Sequence, residues 1–218
     1  MSNAEPRQPG RSVAVIVAHP DDETIWAGGA ILSHPQWQFY IATLCRMSDA
    51  DRAPRFYRAV HGYGATGRMA GLDDGPGQTP LDPAEVEGTI LHLLPALHFD
   101  LVITHSPFGE YTRHARHEEC GRAVISLWQS QQLFTSELWM FAYEDNGKRH
   151  LPRAIENASI YEVLRPDVWR KKYRIITDTY GFPPDGFEAQ TTPHAEAFWR
   201  FTDAEKAASW MTGVKAGS

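Results

Sequence analysis

The chain has 218 residues, 42% hydrophobic and 22% charged, an ordinary globular balance with length enough for one large core. Its net charge of −6 argues against a nucleic-acid or acidic-membrane partner, which would need a basic face. Two cysteines, Cys45 and Cys120, are too few for a disulfide framework. No apolar run reaches transmembrane length and no signal-peptide segment is seen, so a cytoplasmic protein without a transmembrane segment is expected.

Met1-Ser2-Asn3-Ala4 reads as a cloning scar, and residues 1–11 are expected to be a flexible lead-in. One domain is expected over 12–212, and a frayed tail over 213–218. Val13 to Ala18 is a short, β-branched apolar run, which predicts a strand buried on both faces of a parallel sheet. It stops abruptly at His19-Pro20-Asp21-Asp22-Glu23. Three carboxylates and an imidazole packed together repel one another unless a cation or proton compensates. Thr24 to Leu32 reads as a helix, with Gly28-Gly29 explained by close packing against the sheet; no G-x-G-x-x-G dinucleotide loop follows the strand.

Phe39 to Leu44 is the second predicted strand, ending in the polar run Cys45 to Asp49. Arg52 to Met69 has helical composition, interrupted by Gly62, Gly64 and Gly67, with its arginines read mainly as a solvated face. Leu72 to Pro80 is rich in turn residues. Asp82-Pro83-Ala84-Glu85 opens a helix predicted to run to about Leu97, with Asp at the cap, Pro at the first position and Glu three residues after the cap. His92 and His98, without acidic neighbours in register, read as ordinary histidines.

Asp100 to Thr104 is the third predicted strand, and a helix is expected from about His114 to Trp128. Leu138 to Tyr143 is another strand candidate, and Asn146-Gly147 allows a hairpin. Ala158 to Leu164 predicts a short strand. Asp167 is the expected cap of a helix over Val168 to Tyr180, with Lys171 and Lys172 exposed. Gly181 to Gln190 reads as loop, and Phe198 and Trp199 as docking residues for the tail. Alternating strands and helices predict an α/β fold: a Rossmann-like, mostly parallel sheet with helices on both faces, in a single domain.

His114 and His117, three residues apart, share one face of the predicted helix. They follow one strand end, and His19 and Asp22 follow another. Parallel strands put their carboxyl ends on one edge. Two imidazoles and a carboxylate there, with room for water, form the layout of a catalytic zinc site rather than a closed structural one. A further carboxylate beside them could accept the water's proton. Cys120, one turn beyond His117, reads as a buried core thiol.

A-H-P-D-D-E at 18–23 together with G-E-Y-T-R-H-A-R-H at 109–117 resembles the PIG-L/LmbE-like family of zinc-dependent N-acetylglucosamine de-N-acetylases. The resemblance implies that His19, Asp22 and His117 bind Zn2+, or another divalent metal in its place. It implies Asp21 as the general base toward water, and a protonated His114 as stabiliser of the oxyanion. Glu23 is expected to support the site by accepting a hydrogen bond or capping the helix. The implied partner is a small-molecule N-acetylated sugar or glycoconjugate. The chain departs from the family pattern where substrate would be read: Thr112-Arg113 adds a residue before His114, and H-A-R-H replaces H-P-D-H. Arg46, Arg52, Arg55, Tyr111 and Arg113 are the candidate substrate contacts, a phosphate on a glycan carrier being one ligand for the arginines. The alternatives are a metal-dependent amidase or esterase on a non-sugar substrate, and a catalytically silent sugar-binding protein.

Overall fold

The computed structural model describes residues 10–77 and 79–213. The expected scar, most of the 1–11 lead-in and the tail beyond Gly213 lie outside the described residues. The strands are β1 (Ser12–Val17), β2 (Gln38–Cys45), β3 (Thr66–Leu72), β4 (His98–Phe99), β5 (Leu101–Thr104), β6 (Phe134–Thr135), β7 (Leu138–Phe141), β8 (Tyr143–Glu144), β9 (Arg153–Ala154), β10 (Ile160–Val163) and β11 (Ala195–Phe201). The helices are α1 (Asp22–Ser33), α2 (Arg52–Gly62), α3 (Pro83–Leu93), α4 (Ala115–Gln129), α5 (Pro166–Arg174), α6 (Phe187–Thr191) and α7 (Ala204–Gly213).

The main sheet has seven strands in the order β10-β11-β7-β5-β1-β2-β3. All neighbours from β7 to β3 pair in parallel, and β11 runs antiparallel to both β7 and β10. This is the expected α/β architecture. β1 is central because its residues 13–17 are wholly buried and apolar. Val13, Val15 and Val17 face a core shared with Trp26 of α1 and Phe56 of α2, whereas Ala14 and Ile16 face one shared with Val86 of α3, Val124 of α4 and Ala207 of α7. Such two-sided burial contributes ~1.5–3 kcal/mol for each large aliphatic side chain.

The chain leaves β1 toward β2 and β3, then returns across it to β5 and β7. The order therefore reverses between β1 and β5, and the carboxyl ends of these two strands flank the crevice where such sheets bind ligands. His19 follows β1 and His105 follows β5, both at that crevice.

Several elements differ from expectation. Arg52 to Met69 is not one helix: α2 ends at Gly62, Gly64 takes φ 67°, and the chain enters the edge strand β3. Gly67 sits in that strand against the Ile41 carbonyl, where a Cβ would collide. α3 stops at Leu93 rather than Leu97 because Pro95 cannot continue it. α5 begins at Pro166, without a side-chain cap from Asp167, and its last turn widens into a π-helix over Ile175–Thr179. The segment 181–190 contains the start of α6, and Ala195 to Phe201 is a full strand of the sheet. The hairpin at Asn146-Gly147 is present as the antiparallel β8–β9 pair.

Lys172 reverses its expected exposure. It is fully buried, its Nζ 2.6 Å from Glu196 Oε1. Glu196 also accepts hydrogen bonds from the backbone N–H groups of Gly29 (2.6 Å) and Ala30 (2.8 Å). Gly28-Gly29 makes this possible: a Cβ at Gly28 would stand 3.2 Å from Lys172 Cγ, and one at Gly29 would run into Leu164 and the Glu196 carboxyl. Burial lowers the Lys172 pKa, and Glu196 opposes the shift. Removing one partner of a buried pair leaves the other charge uncompensated. Glu196→Ala is therefore expected to cost about 3–5 kcal/mol in urea unfolding; an unchanged midpoint would show that the pair carries no such role.

Candidate metal centre

Asp21 is the N-cap of α1 and holds φ 120° and ψ −29°, a backbone region that residues with a side chain rarely adopt. Glu23 braces the turn. Its Oε2 accepts the Asp21 backbone N–H at 3.0 Å, and its Oε1 accepts the Tyr180 hydroxyl at 2.7 Å and the Thr24 hydroxyl at 2.5 Å. The sharp turn sends neighbouring carboxylates to different partners. Asp22 Oδ2 accepts the His19 backbone N–H at 2.8 Å and its Oδ1 accepts the Trp26 indole at 3.1 Å, while Asp21 Oδ2 faces the Arg52 guanidinium at 3.2 Å.

Three donors meet. His19 Nδ1 lies 3.1 Å from Asp22 Oδ2 and 3.2 Å from His117 Nε2, and His117 Nε2 lies 3.4 Å from Asp22 Oδ2. Donors bound at about 2.0–2.2 Å to a tetrahedral ion stand ~3.3 Å apart. The triangle thus has the size of one face of such a coordination shell, and the residues present fit a divalent metal. His114 joins them: its ring centroid is 4.5 Å from that of His19 and 4.6 Å from that of His117, and the three imidazoles form a metal-suited cluster.

Three further residues enter that the sequence reading did not single out. His105 is fully buried with Nε2 3.3 Å from Asp22 Oδ2, and it forms a second metal-suited cluster with Asp22 and His117. Glu110, also buried, stands between His105 Nδ1 (3.0 Å) and His117 Nδ1 (2.6 Å). Asp74 Oδ1 lies 3.2 Å from His19 Nε2. Only His105 left a trace in the sequence, since it follows β5 directly as His19 nearly follows β1. Cys120 is a buried thiol beside Thr104 and the Ile16 carbonyl, in the core on the α4 side, as expected.

The surroundings set the proton affinities. Burial raises the Asp21 pKa well above the usual carboxylate range, the Asp22 charge adds to this, and Arg52 opposes it. Burial would raise Asp22 as well, but His117 and His105 outweigh it and hold it well below that range. Burial, then the charges of His117 and His19, push His114 down to about 3, against the protonated state that the resemblance implies. A divalent cation nearby would push it the same way.

The cleft over these groups has a volume of about 220 Å³. Arg46, Arg52 and Tyr111 of the expected substrate contacts line it, with Ile25, Trp26 and Phe187. Arg46 is paired with Asp74 at 2.5 Å, and Arg52 with Asp21. The structure does not bring Arg55 or Arg113 to the cleft. Arg55 pairs with Asp51 at 2.7 Å and donates to the Tyr180 carbonyl at 2.5 Å, and the largely exposed Arg113 is held by Glu118 at 2.5 Å. A more open groove of about 440 Å³ adjoins the cleft, sharing Arg46 and Asp74.

No protein-family model and no curated protein matches the sequence. Solved structures do match. An N,N'-diacetylchitobiose deacetylase from Pyrococcus horikoshii superposes with TM-score 0.68 at 16% identity, over 91% of this chain and 85% of its own. A deacetylase of the teicoplanin biosynthesis pathway gives 0.56 at 14%, over 78% and 84%. A 4-carboxy-2-hydroxymuconate hydratase from Pseudomonas putida gives 0.58 at 15%, over 94% and 87%. At such identities the likeness shows a shared fold, one borne by two deacetylases and a hydratase alike. No helix of the described residues is long and apolar enough to cross a membrane.

The turn at Asp21 generates a stability prediction. Glycine adopts its backbone angles freely, and a strained non-glycine residue costs about 1–3 kcal/mol. Both Asp21→Gly and Asp21→Ala remove the carboxylate, so their difference isolates the backbone. Asp21→Gly is expected to be the more stable by about 1 kcal/mol after the entropy cost of glycine; equal thermal midpoints would mean that the turn is unstrained.

Proposed function

We propose that the protein is a metal-dependent hydrolase that removes the N-acetyl group from an N-acetylglucosamine-type sugar or glycoconjugate. One observation carries the reading: His19 Nδ1, Asp22 Oδ2 and His117 Nε2 converge within 3.1–3.4 Å of one another, with Asp21 next in the chain and turned elsewhere. Zn2+ is the metal that this nitrogen-and-carboxylate set suits, and once bound it would supply a water of lowered pKa and polarise the acyl carbonyl.

The chain's own residues perform the rest. Asp21, whose affinity for a proton burial raises, removes in its carboxylate form a proton from the attacking water. His114 donates an N–H to the oxygen that gains charge as the tetrahedral centre forms. A neutral imidazole can do this, so the depressed pKa of His114 favours a hydrogen-bond donor over a cation. Asp21 then returns its proton to the departing amine, and the products are acetate and a free amine. Trp26, Tyr111 and Phe187 supply apolar surface for the acyl group or a sugar face, and the adjoining groove gives the remainder of a conjugate room.

The cleft favours a neutral substrate over a phosphorylated one. Arg46 and Arg52 already face Asp74 and Asp21, and Asp22 and Glu188 add negative charge to the lining. The hydratase with the same fold shows why the reaction must be read from the site.

Metal-loaded protein incubated with a panel of N-acetyl sugars and their conjugates is expected to release acetate. Metal-bound protein that releases none from any of them would favour the silent sugar-binding reading, or another substrate bond. Asp21→Ala is expected to retain metal while losing about 10²–10⁴-fold in kcat. His117→Ala is expected to lose the metal, and full occupancy on metal analysis would remove His117 from the ligand set.

A further inference from the structure

We propose that Glu110 is a positioning residue: braced by His105, it selects the tautomer of His117 that turns an Nε2 lone pair toward the metal. The inference rests on the metal centre proposed above. Asp22, His105, Glu110 and His117 form a closed ring, each within 3.4 Å of the next. All four are buried, so no solvent arranges their protons.

The backbone settles the first proton. The Ala18 N–H points at His105 Nε2, 3.0 Å away. A backbone N–H can only donate, so Nε2 accepts and the His105 proton sits on Nδ1. Burial disfavours the His105 cation, but the Glu110 and Asp22 charges outweigh it and raise the His105 pKa to about 9, and in either charge state Nδ1 carries its proton. His105 Nδ1–H therefore donates to Glu110 Oε2 at 3.0 Å, while Glu110 Oε1 accepts the Ser106 backbone N–H at 3.0 Å. The carboxylate is thus pinned through both oxygens.

Pinned in this way, Oε2 lies 2.6 Å from His117 Nδ1. An ionised carboxylate can only accept, so His117 carries its proton on Nδ1 and leaves Nε2 bare. That nitrogen belongs to the triangle with His19 Nδ1 and Asp22 Oδ2. The opposite tautomer would bring Glu110 oxygen against a nitrogen lone pair and block the ligand atom with hydrogen. Carboxylates that hold a ligating histidine in this manner govern metal affinity and ring orientation.

Glu110→Gln keeps the volume and removes the obligate acceptor. Its Zn2+ dissociation constant, read by competition with a chromophoric chelator, is expected to rise about 10- to 100-fold, with Glu110→Asp intermediate. The Co2+-loaded variant is expected to show a shifted visible spectrum, which a loss of stability alone would not produce. Native affinity in Glu110→Gln overturns the proposal. The tautomer is read in native metal-free protein, independently of whether any variant folds: in ¹⁵N-histidine-labelled protein, His117 is expected to be protonated on Nδ1 and bare at Nε2. An Nε2–H form overturns it too. Native protein that binds no divalent ion would sink the metal centre itself, a failure distinct from tight binding by both native protein and Glu110→Gln.

Discussion

Everything in this molecule turns on negative charge and lone pairs forced together at the carboxyl ends of β1 and β5. Buried carboxylates and imidazoles are costly unless each proton and each charge has a partner. Here Asp22 alone faces three imidazoles, at 3.1, 3.3 and 3.4 Å. The scaffold supplies the rigidity that holds them there: five parallel strands centred on β1, with a packed core on either face. A cation at the focus would turn a repulsive cluster into a cohesive one.

Asp21 and Asp22 illustrate how one short segment makes two chemical environments. They are adjacent, both buried, and differ by a single unusual backbone angle. The turn directs Asp22 among His19, His105 and His117, where its pKa is held well below the usual carboxylate range, and leaves Asp21 beside one half-exposed arginine, where burial dominates. Environments that push two carboxylates apart in proton affinity are how a site obtains both a ligand and a base from the same residue type. Glu23, anchored by Tyr180 and Thr24, maintains that turn from below.

The parts of this site legible in the sequence are those encoded by neighbours in the chain. A β-branched run stopping at H-P-D-D-E announces a strand and its ligand-bearing end together, and His114 and His117 announce themselves by helical spacing. Asp74 acts through His19, 55 residues away, and no local pattern marks it; Glu110 joins His105 and His117 only because the loop after β5 folds back on itself, and His105 shows no more than its place at the end of a strand. Lys172 is the sharpest case outside the site. Its neighbours Lys171 and Arg174 make it look like part of a solvated face, and only Glu196, on another element, accounts for its burial. The edge strand β3 is masked by three glycines in a segment of helical composition, of which Gly67 permits close approach to the Ile41 carbonyl of β2. The general α/β architecture is legible all the same, because the strand–helix alternation that specifies it is repeated along the whole chain.

The most direct measurement is anomalous X-ray scattering, at the zinc edge, from crystals of the metal-loaded protein. A peak is expected at about 2.0–2.2 Å from His19 Nδ1, His117 Nε2 and an Asp22 carboxylate oxygen together. A peak coordinated elsewhere, or none at full zinc saturation, would contradict the proposal that these three residues grip one ion.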